Sequence, residues 1–277
     1  MSSVKEAYDL TDRVAIITGG AGLLGVKHAE AVCEMGALPV LWDLDGAAAE
    51  KRASELAETF GSKVLGLACD VTSPQSVSSA LQETLSLVGR ADILINNAAH
   101  NPKVEAGLEE PAWSRFENFS LESWERDMAV GLTGAFLCSQ TVGTTMARNG
   151  SGVILNIASD LALISPDQRI YRQPGVPAER QPVKPVTYSV VKSGLVGLTR
   201  YLATYWAESG IRVNCLSAGG VYAGQDDTFV QQLTQLIPLG RMAFRDEYKA
   251  AIVFLVSDAS SYMTGANLVI DGGRTCW

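Results

Sequence analysis

The chain has 277 residues, 47% hydrophobic and 19% charged, with a net charge of −8. A chain of that length buries a large core without disulfides or metals, and an acidic balance with no Lys/Arg run argues against nucleic-acid or anionic-membrane binding. Small-molecule ligands are expected instead, in a cytoplasmic protein, because neither an apolar signal region nor a membrane-length apolar run is present.

Strand and helix signals alternate in chain order. Arg13 to Thr18 is a short apolar, β-branched run that enters glycines at once, the pattern of a buried parallel strand. Leu23 to Met35 then reads as a helix stopped by Gly36, Leu38 to Trp42 as a second strand, and Ala47 to Phe60 as a helix stopped by Gly61. Val64 to Ala68 is the third strand, Thr72-Ser-Pro opens a helix to about Val88, and Asp92 to Ile95 is the fourth strand. An irregular polar stretch from about His100 to Asn118 precedes a long helix from Ser120 to about Arg148. Gly152 to Ile157 is the fifth strand, Val186 to Glu208 a long helix, and Arg212 to Leu216 the sixth strand. Asp246 to Val256 is a helix, and Asn267 to Ile270 a last short strand. This alternation predicts one α/β Rossmann domain over residues 1–277: a doubly wound parallel sheet of about seven strands, helices on both faces, ligands at the carboxyl edge. The five cysteines are widely spaced and form no C-x-x-C pair, so neither a disulfide framework nor a metal site is expected. Cys33, Cys69, Cys138 and Cys215 read as core residues and Cys276 as exposed.

The first strand runs into Thr18-Gly-Gly-Ala-Gly-Leu-Leu-Gly25. Gly20-x-Gly22-x-x-Gly25 fits a dinucleotide cradle: a tight turn, a close backbone approach to pyrophosphate, and close packing of helix on strand. The helix start supplies free N–H groups and a positive dipole end. Asp43 ends the second strand, where a carboxylate accepts from an adenosine ribose and repels a 2′-phosphate, favouring NAD over NADP; capping of the next helix is the alternative. Asp70 ends the third strand and either holds the adenine amino group or serves the following helix start.

Tyr188 and Lys192 lie four positions apart on one helix, so phenol and ammonium share a face. A nearby cation favours phenolate, which suits Tyr188 to exchange a proton with an alcohol or carbonyl. Ser159, beyond the fifth strand, is placed to hydrogen-bond the substrate oxygen. A helix cap is its plainer role.

Together with Asp70-Val71, Asn96-Asn-Ala-Ala99, Val213-Asn214 and Thr264-Gly265 followed by Asp271-Gly-Gly273, these motifs resemble the short-chain dehydrogenase/reductase family from about Asp12 to Gly273. The resemblance implies a catalytic set of Ser159, Tyr188 and Lys192. It implies cofactor contacts at Gly19, Gly22, Leu23, Leu24 and Gly25, at Asp43, Leu44, Asp70 and Val71, at Asn97, Ala98 and Ala99, and at Tyr188, Lys192, Gly219 and Val221. It also implies a homodimer or homotetramer joined through the long helices and the last strand. Four departures stand out. Leu23 replaces the middle glycine of the shorter members, and Ala99 replaces a glycine. Gly131 stands where members place an asparagine that bends the helix and holds a relay water, and Ala218-Gly-Gly220 replaces a Pro-Gly segment.

Ser159 and Tyr188 are 29 positions apart, about twice the family's common spacing, so 160–187 is an inserted active-site loop. It carries Arg169, Tyr171, Arg172, Arg180 and Lys184. Arg169, Arg172 or Arg180 are candidates for an anionic substrate group, or else face water. His100 and Lys103 follow the fourth strand and either reach the pocket or are plain surface residues, and 221–238 reads as the mobile substrate-covering segment. The Ser-Asp-Leu-Ala-Leu-Ile stretch and the Pro-rich insertion look like a subgroup of bacterial surface-carbohydrate synthesis, which favours a sugar substrate. Net hydride transfer is the main expectation. The alternatives are an isomerase or lyase with recycled NAD, separated by net NADH formation, and a non-catalytic binding module.

Overall fold

Seven parallel strands carry the molecule: β1 (Val14–Thr18), β2 (Leu38–Asp43), β3 (Leu65–Ala68), β4 (Ile93–Asn96), β5 (Gly152–Ser159), β6 (Ile211–Ala218) and β7 (Asn267–Ile270). They lie in the order β3-β2-β1-β4-β5-β6-β7. The computed structural model describes residues 3–101 and 112–277. The helices are α1 (Val4–Ala7), α2 (Leu23–Glu34), α3 (Gly46–Phe60), α4 (Pro74–Val88), α5 (Leu121–Met128), α6 (Gly134–Asn149), α7 (Val186–Tyr205), α8 (Asp227–Thr234) and α9 (Lys249–Val256). The doubly wound α/β sheet expected from the sequence is present.

All five residues of β1 are buried, because both sheet faces are covered. Ala15 and Ile17 pack with Ala29, Val32, Ala49 and Ile252 on one face. Val14 and Ile16 pack with Val77, Leu81, Val142 and Trp206 on the other. Between β4, β5 and α7 runs a buried polar ladder: Asn96 Nδ2 donates to Asn156 Oδ1 at 2.8 Å, and Asn156 Nδ2 donates to Thr199 Oγ1 at 2.8 Å.

Local chemistry sets the helix ends. Asp45 and Ser73 cap α3 and α4 through side-chain oxygens, and Gly61 and Gly89 end them in the left-handed conformation. Three boundaries differ from expectation. The helix expected from Ser120 to Arg148 is broken by a π-turn at Ala129–Thr133. The covering segment contains α8, capped by Asp226. The helix expected from Asp246 begins at Lys249. Among the described residues no helix is long and apolar enough to cross a membrane.

Candidate active site

Chain order reverses between β1 and β4, so a crevice opens at their carboxyl ends. The glycine turn forms its floor. Gly19 has φ +61° and lies against Ala98, where a Cβ would come within 3.0 Å of the Ala98 Cα. A Cβ on Gly25 would lie 2.2 Å from the Gly19 carbonyl oxygen, so any side chain there would push the turn off α2. Gly22 is the N-cap of α2 and makes no side-chain cap bond. The N-terminal amides of α2 are thus left to an anion. Leu23 is exposed beside it, while Leu24 packs into the core.

Asp43 does not cap α3; Asp45 does. Its Oδ2 instead accepts from the Ala21 amide at 3.0 Å, which fixes the carboxylate over the glycine turn. Leu44 beside it is 76% exposed. Asp70 Oδ1 accepts from the amide and hydroxyl of Thr72 at 2.9 and 2.7 Å, while Val71 is buried and Ser73 caps α4. Asn97 Nδ2 donates to the carbonyls of Thr18 and Gly19 at 3.0 and 3.2 Å, tying the end of β4 to the turn. Ala98 is half-buried and Ala99 exposed at the crevice. On the far side Gly219 packs so closely on Asp271 that a Cβ would meet its Cα at 2.8 Å. Val221 forms a bridge to Ala243, and its carbonyl accepts from Gln225 Nε2 at 2.8 Å. This glycine-lined cradle with an acid at its rim fits a dinucleotide.

Ser159, Tyr188 and Lys192 meet at the crevice mouth. The Tyr188 hydroxyl lies close enough to Ser159 for the serine to act on its acidity. Lys192 Nζ lies 5.9 Å from the Tyr188 ring centre and donates to the Ile157 carbonyl at 2.7 Å. Burial pushes the Lys192 ammonium down to about 8. Burial also raises the Tyr188 phenol above its ordinary value, and the Ser159 contact only partly opposes this. Burial, with the charge of Asp160, sets the direction at Tyr188, and Lys192 is not among the groups that act on it in the protein alone.

Two further features escaped the sequence reading. The Ser159 hydroxyl donates to Asp160 Oδ1 at 2.6 Å, and Asp160 Oδ2 accepts from Arg274 Nη1 at 2.9 Å. Both partners are buried, so the chain's last segment fixes the orientation of Ser159. Lys184 Nζ sits 3.8 Å over the Tyr188 ring centre and donates to Asn101 Oδ1 at 2.9 Å. Burial pushes this ammonium down to about 8, and the charge of Lys192 adds to the effect. Neither pairing has a local sequence signature.

Two of the arginines expected at the substrate lie on the exposed face of the inserted loop. Arg169 is held by Asp167 in an ion pair and its side chain is 75% exposed. Arg172 is exposed on the next residues of the loop. What the insertion does bring inward is Ile170 and Tyr171, which pack with Leu233, Ile237 and Met242, so the inserted loop and the α8 segment share one small core. Lys103 lies outside the described residues.

Gly131 sits within the π-turn, and a Cβ there would lie 2.5 Å from Val191 Cγ1 on α7. The close approach of the two helices selects glycine, and the helix still deforms at this point without the asparagine.

Comparison with known proteins agrees with this geometry. Residues 13–171 match the family model for short chain dehydrogenases, and residues 176–275 match that for enoyl-(acyl carrier protein) reductase. The D-threitol dehydrogenase of Mycolicibacterium smegmatis is 36% identical, over 99% of this chain and 96% of that protein. The NAD-dependent glycerol dehydrogenase of Listeria innocua is 33% identical, over 97% and 96%. The crystal structure of a gluconate 5-dehydrogenase from Burkholderia cenocepacia in complex with NADP and tartrate is 27% identical, covers 99% of this chain and all of that one, and superposes with a TM-score of 0.85. The chain therefore belongs to the short-chain dehydrogenase/reductase family, a nicotinamide-dependent oxidoreductase of alcohol/carbonyl pairs.

Proposed function

We propose that this protein interconverts a small polyol or sugar-derived alcohol and its carbonyl partner, with NAD(H) preferred over NADP(H). The observation that carries the reading is the meeting of Ser159, Tyr188 and Lys192 at the mouth of a glycine-lined crevice whose rim holds Asp43.

Gly19, Gly22 and Gly25 with the start of α2 hold the cofactor's pyrophosphate, and Asp43 takes the adenosine ribose. Leu23, Leu24, Leu44, Asp70, Val71, Asn97, Ala98, Ala99, Gly219 and Val221 line the remainder. The bound nicotinamide supplies a hydride acceptor for the carbinol carbon, or a hydride donor for the carbonyl. Tyr188 takes the hydroxyl proton in oxidation and returns it in reduction. Ser159 holds the substrate oxygen against the phenol. In the protein alone its hydrogen goes to Asp160; turning that hydrogen to the substrate oxygen leaves the alcohol's single hydroxyl hydrogen for Tyr188. Lys192, anchored by Ile157, keeps its ammonium within reach of the phenol and offsets negative charge there. The threitol and glycerol enzymes among the relatives favour a polyol; the gluconate enzyme extends the candidates to sugar acids.

NAD preference rests on the fixed position of the Asp43 carboxylate, which meets a 2′-phosphate as a like charge. Asp43→Ser is expected to shift the NAD-to-NADP ratio of kcat/KM toward NADP by at least about tenfold; an unchanged ratio rejects the assignment. Tyr188→Phe is expected to bind NADH like the parent, by fluorescence titration, while turnover drops by about 10²-fold or more. Parent-like turnover rejects the proton-transfer role. The substrate is found by screening threitol, glycerol, mannitol and gluconate with NAD.

Self-association is proposed through the paired α6 and α7 face, where Phe136, Tyr201 and Tyr205 are 45%, 63% and 64% exposed. Light scattering of Tyr205→Arg against the parent tests it.

A further inference from the structure

We propose that His100 and Asp127 form a proton exit for Tyr188 and Lys192, standing in for the missing asparagine at position 131. The proposal deepens the functional reading above and rests on Tyr188 being the acid/base.

Asp127 lies in the last turn of α5, and its residue is only 6% exposed. Both of its carboxylate oxygens are engaged. Oδ1 meets His100 Nδ1 at 2.6 Å, and Oδ2 accepts from Thr187 Oγ1 at 2.5 Å. Thr187 is the residue directly before Tyr188, so Asp127 ties the imidazole to the turn of α7 that carries the phenol. An ionised carboxylate accepts only, so His100 Nδ1 carries a hydrogen and Nε2 is left as the basic nitrogen. When Nε2 takes a proton, Nδ1–H keeps its bond to the Asp127 carboxylate.

His100, Asp127, Gly131, Tyr188 and Lys192 line one small cavity, with Val191 closing its wall. It has room for about one water. Tyr188 and Lys192 face it from the buried side. The His100 side chain is 34% exposed and connects it to solvent. At Gly131 a Cβ would lie 2.5 Å from Val191 Cγ1, so position 131 offers its backbone to the cavity and no side chain. The histidine–carboxylate pair is the polar machinery that shares the cavity. Lys184 stands on the other side of the Tyr188 ring and is bound to Asn101. Asp160 also acts on Tyr188 through its charge. Neither of these lines the cavity.

One proton leaves per alcohol oxidised. The substrate hydroxyl gives it to Tyr188, which must lose it before the next turnover. It passes by way of Lys192 and a cavity water to His100 Nε2, then to bulk water, while Nδ1–H stays with Asp127. Carbonyl reduction runs the same path inward.

The test compares His100→Ala, His100→Gln and Asp127→Asn with the parent, in dilute non-nucleophilic buffer. His100→Ala is expected to lower kcat at least about tenfold with KM and NADH binding little changed. Added imidazole then restores kcat in proportion to its concentration. His100→Gln keeps a hydrogen-bond donor toward Asp127 but cannot titrate, and is expected to show the same loss. In the cofactor-free protein, a downfield ring-proton NMR signal from the 2.6 Å bond is expected, and its loss in Asp127→Asn. Parent-like kcat in His100→Gln overturns the proposal, as does a loss in His100→Ala that imidazole does not restore. If Tyr188→Phe turns over like the parent, the fault lies in the functional reading instead.

Discussion

The two walls of the crevice are built on different principles. The cofactor wall, from β1 to β4, is made of backbone. Its contacts are amides, carbonyls and glycine surfaces, and its one acid is held by the Ala21 amide. The substrate wall, built from residues 160–192, α8 and the last residues of the chain, is made of charge that is buried at Asp160, Lys192 and Arg274 and half-buried at Lys184. Asp160, Arg274, Lys184 and Lys192 all lie there around Tyr188 and Ser159. A backbone wall reads phosphate and ribose the same way in any chain that keeps its glycines. A wall of charged side chains is specific to this chain, and each charge in it must be matched or neutralised. On the proposed reading, cofactor binding sits on the backbone wall, and proton transfer together with the choice of substrate on the charged one.

The sharpest way to break this division is to remove one charge from the substrate wall. Arg274→Met leaves Asp160 buried without its partner. Unpairing a buried ion of this kind costs about 3–5 kcal/mol of folding stability. Ser159 loses its fixed acceptor at the same time, so kcat is expected to fall by at least about tenfold while NADH still binds. Urea melts and NADH titration read the two effects separately. The double variant Asp160→Asn with Arg274→Met removes both charges and is expected to regain most of the stability, but not the turnover. Full turnover in either variant makes the pair a structural staple with no hold on Ser159.

The walls also respond to opposite ends of the pH scale. His28 lies behind the glycine turn on α2, 1% exposed, and burial pushes its imidazole down to about 4 from 6.5. The unfolded chain takes up this proton below pH 6.5 and the folded chain only near 4. Stability from this group is therefore present above pH 6.5 and lost as pH falls through that window, by about 3 kcal/mol in total. On the substrate wall, Lys184 and Lys192 are both pushed down to about 8 from 10.5. Between those values the unfolded chain holds more protons, so stability rises with pH there. Thermal melts of His28→Gln against the parent check the acid limb. A curve below pH 6.5 with the parent's slope would remove His28 as its cause.

The same division explains what could be seen in the residues beforehand. The cofactor wall was legible because its determinants are consecutive: five buried residues of β1, the glycines after them, and an acid at the end of β2. The doubly wound parallel sheet followed from alternation alone. Tyr188 and Lys192 were legible because a helix repeats every turn. The substrate wall was not. Asp160 and Arg274 are 114 positions apart, and Lys184, although only four residues before Tyr188, stands ahead of the first turn of α7, where no helix period places it. Long-range charge pairing leaves no period in a sequence. Arg169 drew attention because arginine suits anions, yet Asp167, two residues away, had already claimed it. The π-turn at 129–133 lies inside a stretch that reads as one continuous helix, although Gly131 within it permits a bend.

Lys184 offers the smallest but most selective probe of the substrate wall. Its ammonium lies 3.8 Å over the ring of Tyr188, beside the place where a substrate oxygen must approach the phenol. A cation there attracts a carboxylate-bearing sugar acid more than a neutral polyol. Lys184→Met keeps most of the length and removes the charge. It is expected to raise KM for gluconate by about tenfold, or about 1.4 kcal/mol of lost binding, with KM for threitol or glycerol moving less than about threefold. In the parent, KM for the anion is expected to climb above about pH 8, as Lys184 loses its proton, and to stay flat across that range in the variant. Lys192 faces Tyr188 in both proteins and titrates in the same range, so only the difference between the two profiles belongs to Lys184. Substituting Arg169 or Arg172 alongside separates the inner cation from the outer rim. If those changes raise KM and Lys184→Met does not, the anion is read at the exposed edge of the insertion and the charge over Tyr188 has another purpose.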